Sequence, residues 1–266
     1  MVCFPHAGGT AAAFRRWPAL LGDLVEVTAV ELPGRGARRA EPPPATADDA
    51  FAAALAAVPP DLPAGGYVLF GHSLGALYAF EAARHLTAAG RPPALLVAAG
   101  RNGPSRPAEI PPLHRLPDGE FLDRLASFGG IPDLVRDEPD LLRLFLPVVR
   151  ADLGAAETYT YTPGPPLRCP ILTPYGTTDP LLAPANVAAW QAETTAARIP
   201  LELPGGHFCL DDPFPMARFR HALATALAGA ADPPPHPPAV RRDRTGAARR
   251  FRTRRPPRRP PASSRS

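Results

Sequence analysis

Residues 67–83, YVLFGHSLGALYAFEAA, pass from an apolar, β-prone stretch through Gly71-His72-Ser73-Leu74-Gly75 into an Ala-rich helical stretch, with no linker between them. A strand that feeds directly into a helix is the opening of a βα unit, and such units close by pairing with parallel strands. The rest of the chain has the same rhythm. Apolar runs at 2–4, 25–30, 67–70, 95–98, 171–175 and 199–203 alternate with helix-like stretches near 11–22, 46–58, 74–89, 184–194 and 214–229. Strand and helix in alternation predict an α/β fold with a mainly parallel sheet flanked by helices. The runs are nearly continuous in apolar residues, which predicts strands covered on both faces.

Residues 104–165 break the alternation. They hold no good strand, are bounded by Pro-rich GPSRPAEIPP and TPGPPLRCP, and carry helix-like stretches near 118–128 and 138–153. An all-helical insertion between two strands reads as a lid over a site. It reads equally well as an excursion that only covers the sheet edge.

Charge separates the chain into two parts. Its net charge is +4, but residues 232–266 hold eleven Arg and two Asp, leaving the first 231 residues with 18 Arg and 23 acids. The body is therefore mildly acidic, and the basic character that suggests nucleic acid belongs to the tail alone. That tail, with nine prolines and one aromatic residue, is predicted to be disordered. It is either an anchor for an acidic partner or a solvated extension. Domain boundaries follow at 1–231 and 232–266. Three scattered cysteines without CxxC spacing argue against a disulfide scaffold and a zinc site, and for a reducing compartment. No apolar run is long enough to span a bilayer. The start, MVCFPHAGG, lacks the basic and apolar regions of a signal peptide, so the expected location is the cytoplasm.

The chemistry begins at Ser73. G-x-S-x-G between a strand and a helix is the pattern of a nucleophile elbow, in which a strained turn lifts the Ser hydroxyl above the sheet. The bland alternative is a tight turn whose Ser caps the helix. A Ser hydroxyl needs a base, and in this arrangement the chain order is Ser, acid, His. His85, His114, His221 and His236 lie on helices, at the start of the insertion or in the tail. Only His207 follows a late strand in a Gly-rich loop, LPGGHFCL. The acid must orient that His. Asp179, in ILTPYGTTDP, follows a strand and precedes His207; Asp152 is the rival, within the insertion. An oxyanion hole needs two N–H donors. Leu74, after the nucleophile, supplies one, and Ala7, in the Pro5-His6-Ala7-Gly8-Gly9 loop, the other. His6 is expected to line the site, and the apolar Phe121, Leu125, Phe128 and Leu144 the lid side of a substrate channel. No metal ligand set is present in the sequence.

At this point the chain resembles a known family, the type II thioesterases of polyketide and nonribosomal peptide assembly lines, which are α/β-hydrolases. The matching blocks are CFPHAGGTAAAF..W (3–17), LPGRGARRAEP (32–42), GHSLGALYAFE (71–81), LPVVRAD (146–152), YGTTDP (175–180) and GGHFCL (205–210). Generic esterases share the elbow and the His, whereas CFPHAGG, PGR..R..EP and LP..RAD are far more specific. The resemblance implies Ser73, Asp179 and His207 as a triad and Ala7 and Leu74 as oxyanion donors. It implies that 104–165 is a lid gating a channel for an acyl chain on a phosphopantetheine arm. The acyl group would pass to Ser73 and be released by water, clearing misloaded carriers. The implied partner is an acyl or peptidyl carrier protein, with no separate cofactor, no membrane or nucleic-acid partner, and a monomeric enzyme. A general serine esterase and a non-catalytic α/β-hydrolase-like protein are the competing readings. Two features depart from the family. Its members carry residues ahead of CFPHAGG, so the first strand is expected to be cut short here, and the Arg/Pro tail is foreign to the pattern.

Overall fold

The computed structural model describes residues 1–106, 110–131, 135 and 138–231. The tail, 232–266, lies outside the described residues.

Six strands form one parallel sheet: β1 (Val2–Phe4), β2 (Thr28–Ala29), β3 (Val68–His72), β4 (Leu95–Ala99), β5 (Ile171–Gly176) and β6 (Arg198–Leu203), in the order β2-β1-β3-β4-β5-β6. Strand β1 is short but paired on both sides, with Val2 opposite Thr28 and Leu69. The loop that follows it therefore hangs from a pinned strand. The chain leaves β1 toward one edge of the sheet and leaves β3 toward the other. That reversal opens a crevice at the carboxyl ends of β1 and β3, where ligands of open α/β sheets bind.

The helices are α1 (Trp17–Leu21), α2 (Ala47–Ala56), α3 (Leu74–Ala88), α4 (Asp118–Ser127), α5 (Pro139–Thr158), α6 (Pro184–Ala188) and α7 (Pro213–Ala231). Helix α2 starts where Thr46 Oγ accepts the Asp49 N–H at 3.1 Å, with two Asp residues in its first turn. Helices α2 and α3, with the end of α5, cover one face of the sheet around Leu69, Leu77, Tyr78 and Phe80. Helices α1 and α7 cover the other, where Trp17 lies edge-on to Phe70 at 4.7 Å and Phe219 joins them. The central strands are buried up to His72 at the tip of β3, which is half-buried, but β6 alternates between half-exposed and exposed positions before Leu203. As an edge strand it lacks full cover. For the same reason the run expected at 25–30 shrinks to the two-residue β2.

Residues 104–165 are helical where described. Helices α4 and α5 share an apolar cluster of their own, formed by Leu113, Phe121, Leu125, Ile131 and Val149. Arg150 of α5 ties them together. Its guanidinium lies over the Phe121 ring at 4.2 Å and donates to Asp118 Oδ1 at 2.6 Å and the Leu116 carbonyl at 2.8 Å. Helix α5 runs on to Thr158, past the expected stop near 153, because Ala155 and Ala156 are buried in the sheet's own core. Pro147 interrupts its middle. Leu141 and Leu144 before the proline are exposed, while Val148, Val149 and Asp152 after it are buried.

Candidate active site

Ser73 sits at the tip of β3 with φ 56° and ψ −115°, and no other non-glycine residue among those described has a positive φ. Such a conformation costs on the order of 1–3 kcal/mol and persists only when its surroundings enforce it. The enforcing contacts are backbone ones. A Cβ on Gly71 would lie 1.9 Å from the Gly75 carbonyl oxygen, and a Cβ on Gly75 would lie 2.2 Å from that of Phe4. The glycines of G-x-S-x-G are thus the space into which strand β3, helix α3 and the end of β1 close. The Ser73 side chain makes no capping bond to α3, so the capping role is not the one it fills.

His207 and Asp179 meet above the neighbouring strands. His207 Nδ1 donates to Asp179 Oδ2 at 2.7 Å, and both residues are buried. The Leu181 N–H donates to Asp179 Oδ1 at 2.9 Å, which holds the carboxylate in its turn. Placing the proton on Nδ1 leaves Nε2 as an acceptor. A Cβ on Gly176 would meet the Gly206 oxygen at 2.2 Å, so the β5 turn and the GGH loop pack backbone to backbone.

Two further histidines join the site, His72 packed on His207 and His6 packed on His72. The His72 ring lies 4.9 Å from it, and His72 Nε2 donates to the His207 carbonyl at 2.8 Å. His6 is edge-on to His72 at 5.7 Å, and Phe208 packs on all three rings. Burial, reinforced by His207 and His6, holds His72 well below the usual imidazole range; burial lowers His6 as well. Both are therefore neutral near pH 7. Neither contact was foreseen in the sequence, where His72 is only the variable position of the elbow.

The loop after β1 is fixed by side chains. His6 Nδ1 donates to the Ala7 carbonyl at 2.9 Å, and the Gly9 N–H donates to the His6 carbonyl at 2.9 Å. The Gly8 N–H donates to Asp152 Oδ2 at 2.7 Å. Asp152 does not reach His207. It forms a buried, two-pronged ion pair with Arg35, whose second prong to Oδ1 measures 2.8 Å.

The Thioesterase domain family model matches residues 1–221. The chain belongs to the thioesterase family. It is 39% identical to thioesterase PikA5 of Streptomyces venezuelae over 214 residues, covering 80% of this chain and 75% of that one. It is 32% identical to the gramicidin S biosynthesis protein GrsT of Aneurinibacillus migulanus over 213 residues, 79% and 82% of the two chains. Among solved structures, the RedJ thioesterase of the prodiginine pathway of Streptomyces coelicolor superposes with a TM-score of 0.77 at 38% identity, covering 85% and 84%. The type II thioesterase BorB of the borrelidin cluster gives 0.76 at 36% identity, covering 85% and 91%. This thioesterase is a thioester hydrolase of the type II kind found in polyketide and nonribosomal peptide pathways, with the expected α/β-hydrolase fold.

A cavity of about 450 Å³ lies beside the thioesterase's Ser73 loop. It reaches that loop through His72 and Phe208, the sequence neighbours of Ser73 and His207, and its walls include Phe14, Trp17 and Phe70 from the sheet side and Phe145 from α5. Of the side chains expected to line a channel, His6 lies on the wall of this cavity. Phe121 and Leu125 turn inward to the cluster between α4 and α5, Phe128 packs on that cluster, and Leu144 is 72% exposed. The apolar wall on the side of the insertion comes instead from Phe145 and Val135. Phe14 and Trp17 carried a usable signal, because three-residue spacing puts both on one side of a helical turn. Among the described residues no cluster of three or more His, Cys, Asp or Glu is placed to hold a metal, and no helix is long and apolar enough to cross a membrane.

Proposed function

We propose that this thioesterase removes acyl groups from the phosphopantetheine arm of a carrier protein, as an editing enzyme, through Ser73, His207 and Asp179. The observation that carries the reading is the His207–Asp179 hydrogen bond of 2.7 Å next to a Ser held at positive φ. Ser73 Oγ bonds to the thioester carbonyl carbon while its proton passes to His207 Nε2. The oxyanion rests on the Ala7 and Leu74 amides; Leu74 opens α3, whose first N–H groups lack intrahelical acceptors. The C–S bond then breaks, and His207 returns its proton to the departing pantetheine thiol. Water next attacks the acyl-Ser73 ester, giving a proton to His207. The C–Oγ bond breaks, Ser73 regains the proton, and a carboxylic acid leaves. Asp179 stabilises the imidazolium throughout, and neutral His72 adds no second charge beside it.

In this reading residues 104–165 form the lid of a domain spanning 1–231, and the aromatic cavity takes the acyl chain. Relatives that act in polyketide and peptide pathways support a carrier protein as partner. The free, buried cysteines support a cytoplasmic setting. The test is release of an acyl group from an acyl-phosphopantetheinyl carrier protein, beside a simple ester with the same acyl group. The expected result is release that favours the carrier thioester and is lost in Ser73→Ala together with fluorophosphonate labelling. Equal or better turnover of the simple ester would overturn the substrate assignment, and labelling that survives Ser73→Ala would overturn the nucleophile.

A further inference from the structure

The peptide plane between Ala7 and Gly8 is gripped at both ends by side chains. His6 Nδ1 donates to its carbonyl oxygen at 2.9 Å, and its N–H donates to Asp152 Oδ2 at 2.7 Å. Next along the chain, the Gly9 carbonyl accepts from Arg35 at 3.4 Å, and the same guanidinium forks onto Asp152. Arg35 also donates from Nε to the Pro33 carbonyl at 3.4 Å, so the loop after β2 shares the network. Arg35 is 4% exposed and Asp152 2%. An isolated buried carboxylate costs several kcal/mol to desolvate, whereas one accepting a backbone N–H and a guanidinium fork is held in a single position. Asp152 belongs to α5. The same helix presses Phe145 and Val149 against Gly8, where a Cβ would meet their atoms at 2.9 and 3.1 Å.

We propose that Asp152 and Arg35 are positioning residues for the oxyanion hole. By fixing the Ala7–Gly8 peptide they set the direction of the preceding amide, the Ala7 N–H. The inference rests on the reading above, in which that amide meets the developing oxyanion. It makes α5 more than a cover: the hole is formed only while the buried half of α5 is seated. It also joins two sequence blocks, PGR and RAD, that lie 117 residues apart and have no contact with the reacting atoms.

The test separates positioning from folding. Asp152→Asn retains an acceptor for Gly8 but leaves the Arg35 charge buried without its counter-ion, so it loses stability as well as rate. The double variant Arg35→Met with Asp152→Leu removes both buried charges, a change that other buried ion pairs tolerate or gain from. Thermal midpoint, kcat, KM and the affinity of a trifluoromethyl ketone bearing the substrate's acyl chain are measured for each. That ketone forms a tetrahedral adduct whose oxyanion occupies the hole. The double variant is expected to keep its thermal midpoint, to lose about 10–100-fold in kcat with KM within about threefold, and to lose affinity for the ketone by the same factor; full removal of an oxyanion donor costs about 10²–10³. A folded double variant with wild-type kcat, or one whose kcat falls while ketone affinity stays, would overturn the proposal. If the double variant does not fold, Arg35→Lys decides: it keeps the charge but not the fork, and the proposal requires kcat and ketone affinity to fall together. Wild-type protein that neither cleaves the thioester nor is labelled at Ser73 would overturn the enzyme reading and this one with it; an active wild type with insensitive variants would overturn this one alone.

Discussion

The loops above the sheet and the helices over them follow different rules. At the sheet edge each chemically charged position is set by a contact between backbones: Gly71 on Gly75, Gly75 on Phe4, Gly176 on Gly206. These contacts need a particular residue type, glycine, and so they mark the sequence. In α4 and α5 placement depends on which way each helix turns. Leu144 and Phe145 are neighbours of similar hydrophobicity, yet Leu144 faces solvent and Phe145 faces the cavity and Gly8. A step of one residue rotates a side chain by about 100°, and nothing local says which of the two points inward. The lesson is that glycine-bearing loops can be read singly, whereas the helices of the insertion can be read only with their partners.

The sharpest way to break the comparison is at the acid. Asp179→Asn is expected to lower kcat/KM by about 10⁴, since the amide leaves His207 with the wrong tautomer. Asp152→Asn is expected to lose far less in the chemical step. Steady-state kinetics of both variants decide, and the reverse ranking would move the acid to α5.

The same substitution in the two regions makes a second contrast. Gly75→Ala drives a Cβ to 2.2 Å from the Phe4 oxygen and 2.6 Å from the Pro5 oxygen, so β1 must shift. A loss of about 1–3 kcal/mol is expected, with a loss of activity because the Ala7 loop shifts with β1. Gly119→Ala in the first turn of α4 meets nothing within 4 Å and is expected to be neutral or to stabilise by up to about 1 kcal/mol. Urea unfolding of the pair measures both. A tolerated Gly75→Ala would show that the loops are less tightly specified than their contacts indicate.

Within α5, Phe145→Ala is expected to raise KM for an acyl thioester roughly tenfold or more, as expected for a lost aromatic contact. Leu144→Ala should change stability and kinetics by less than about 0.5 kcal/mol. Equal effects would mean that the helix turns differently in solution.

Acid gives the smallest effect. His72 and His6 both titrate below the ordinary imidazole value in the folded protein. Below about pH 6.5 the unfolded chain therefore binds protons that the folded one refuses, and stability falls with pH until the folded values are reached. Thermal midpoints from pH 7.5 to 5 should decline, and His72→Gln should flatten that slope. An unchanged slope in the variant would place the acid sensitivity elsewhere.

Much of the fold was legible because a parallel sheet leaves continuous apolar runs; β1 and β3 to β5 fall where those runs lie. The edges were harder to read, because β2 has little to pair with and stops after two residues. Ser73, Asp179 and His207 stood out from their turns and their order. The partnership of Arg35 with Asp152 did not, since Asp152 reads alone as a rival acid for His207 and only the tertiary fold buries it against Arg35. The role of His72 was equally hidden, because its partner is a backbone carbonyl 135 residues away.

Pro147 gives α5 a division of labour. A proline inside a helix supplies no N–H to the carbonyl four residues back, here Arg143, and crowds it. The helix is therefore a ladder with one missing rung, and it yields most easily there. Beyond the gap are Val148, Val149 and Asp152, all buried; before it are Leu141 and Leu144, facing water. The missing rung thus falls at the join between a turn that faces water and one that is buried, with the grip of Asp152 on Gly8 on the buried side.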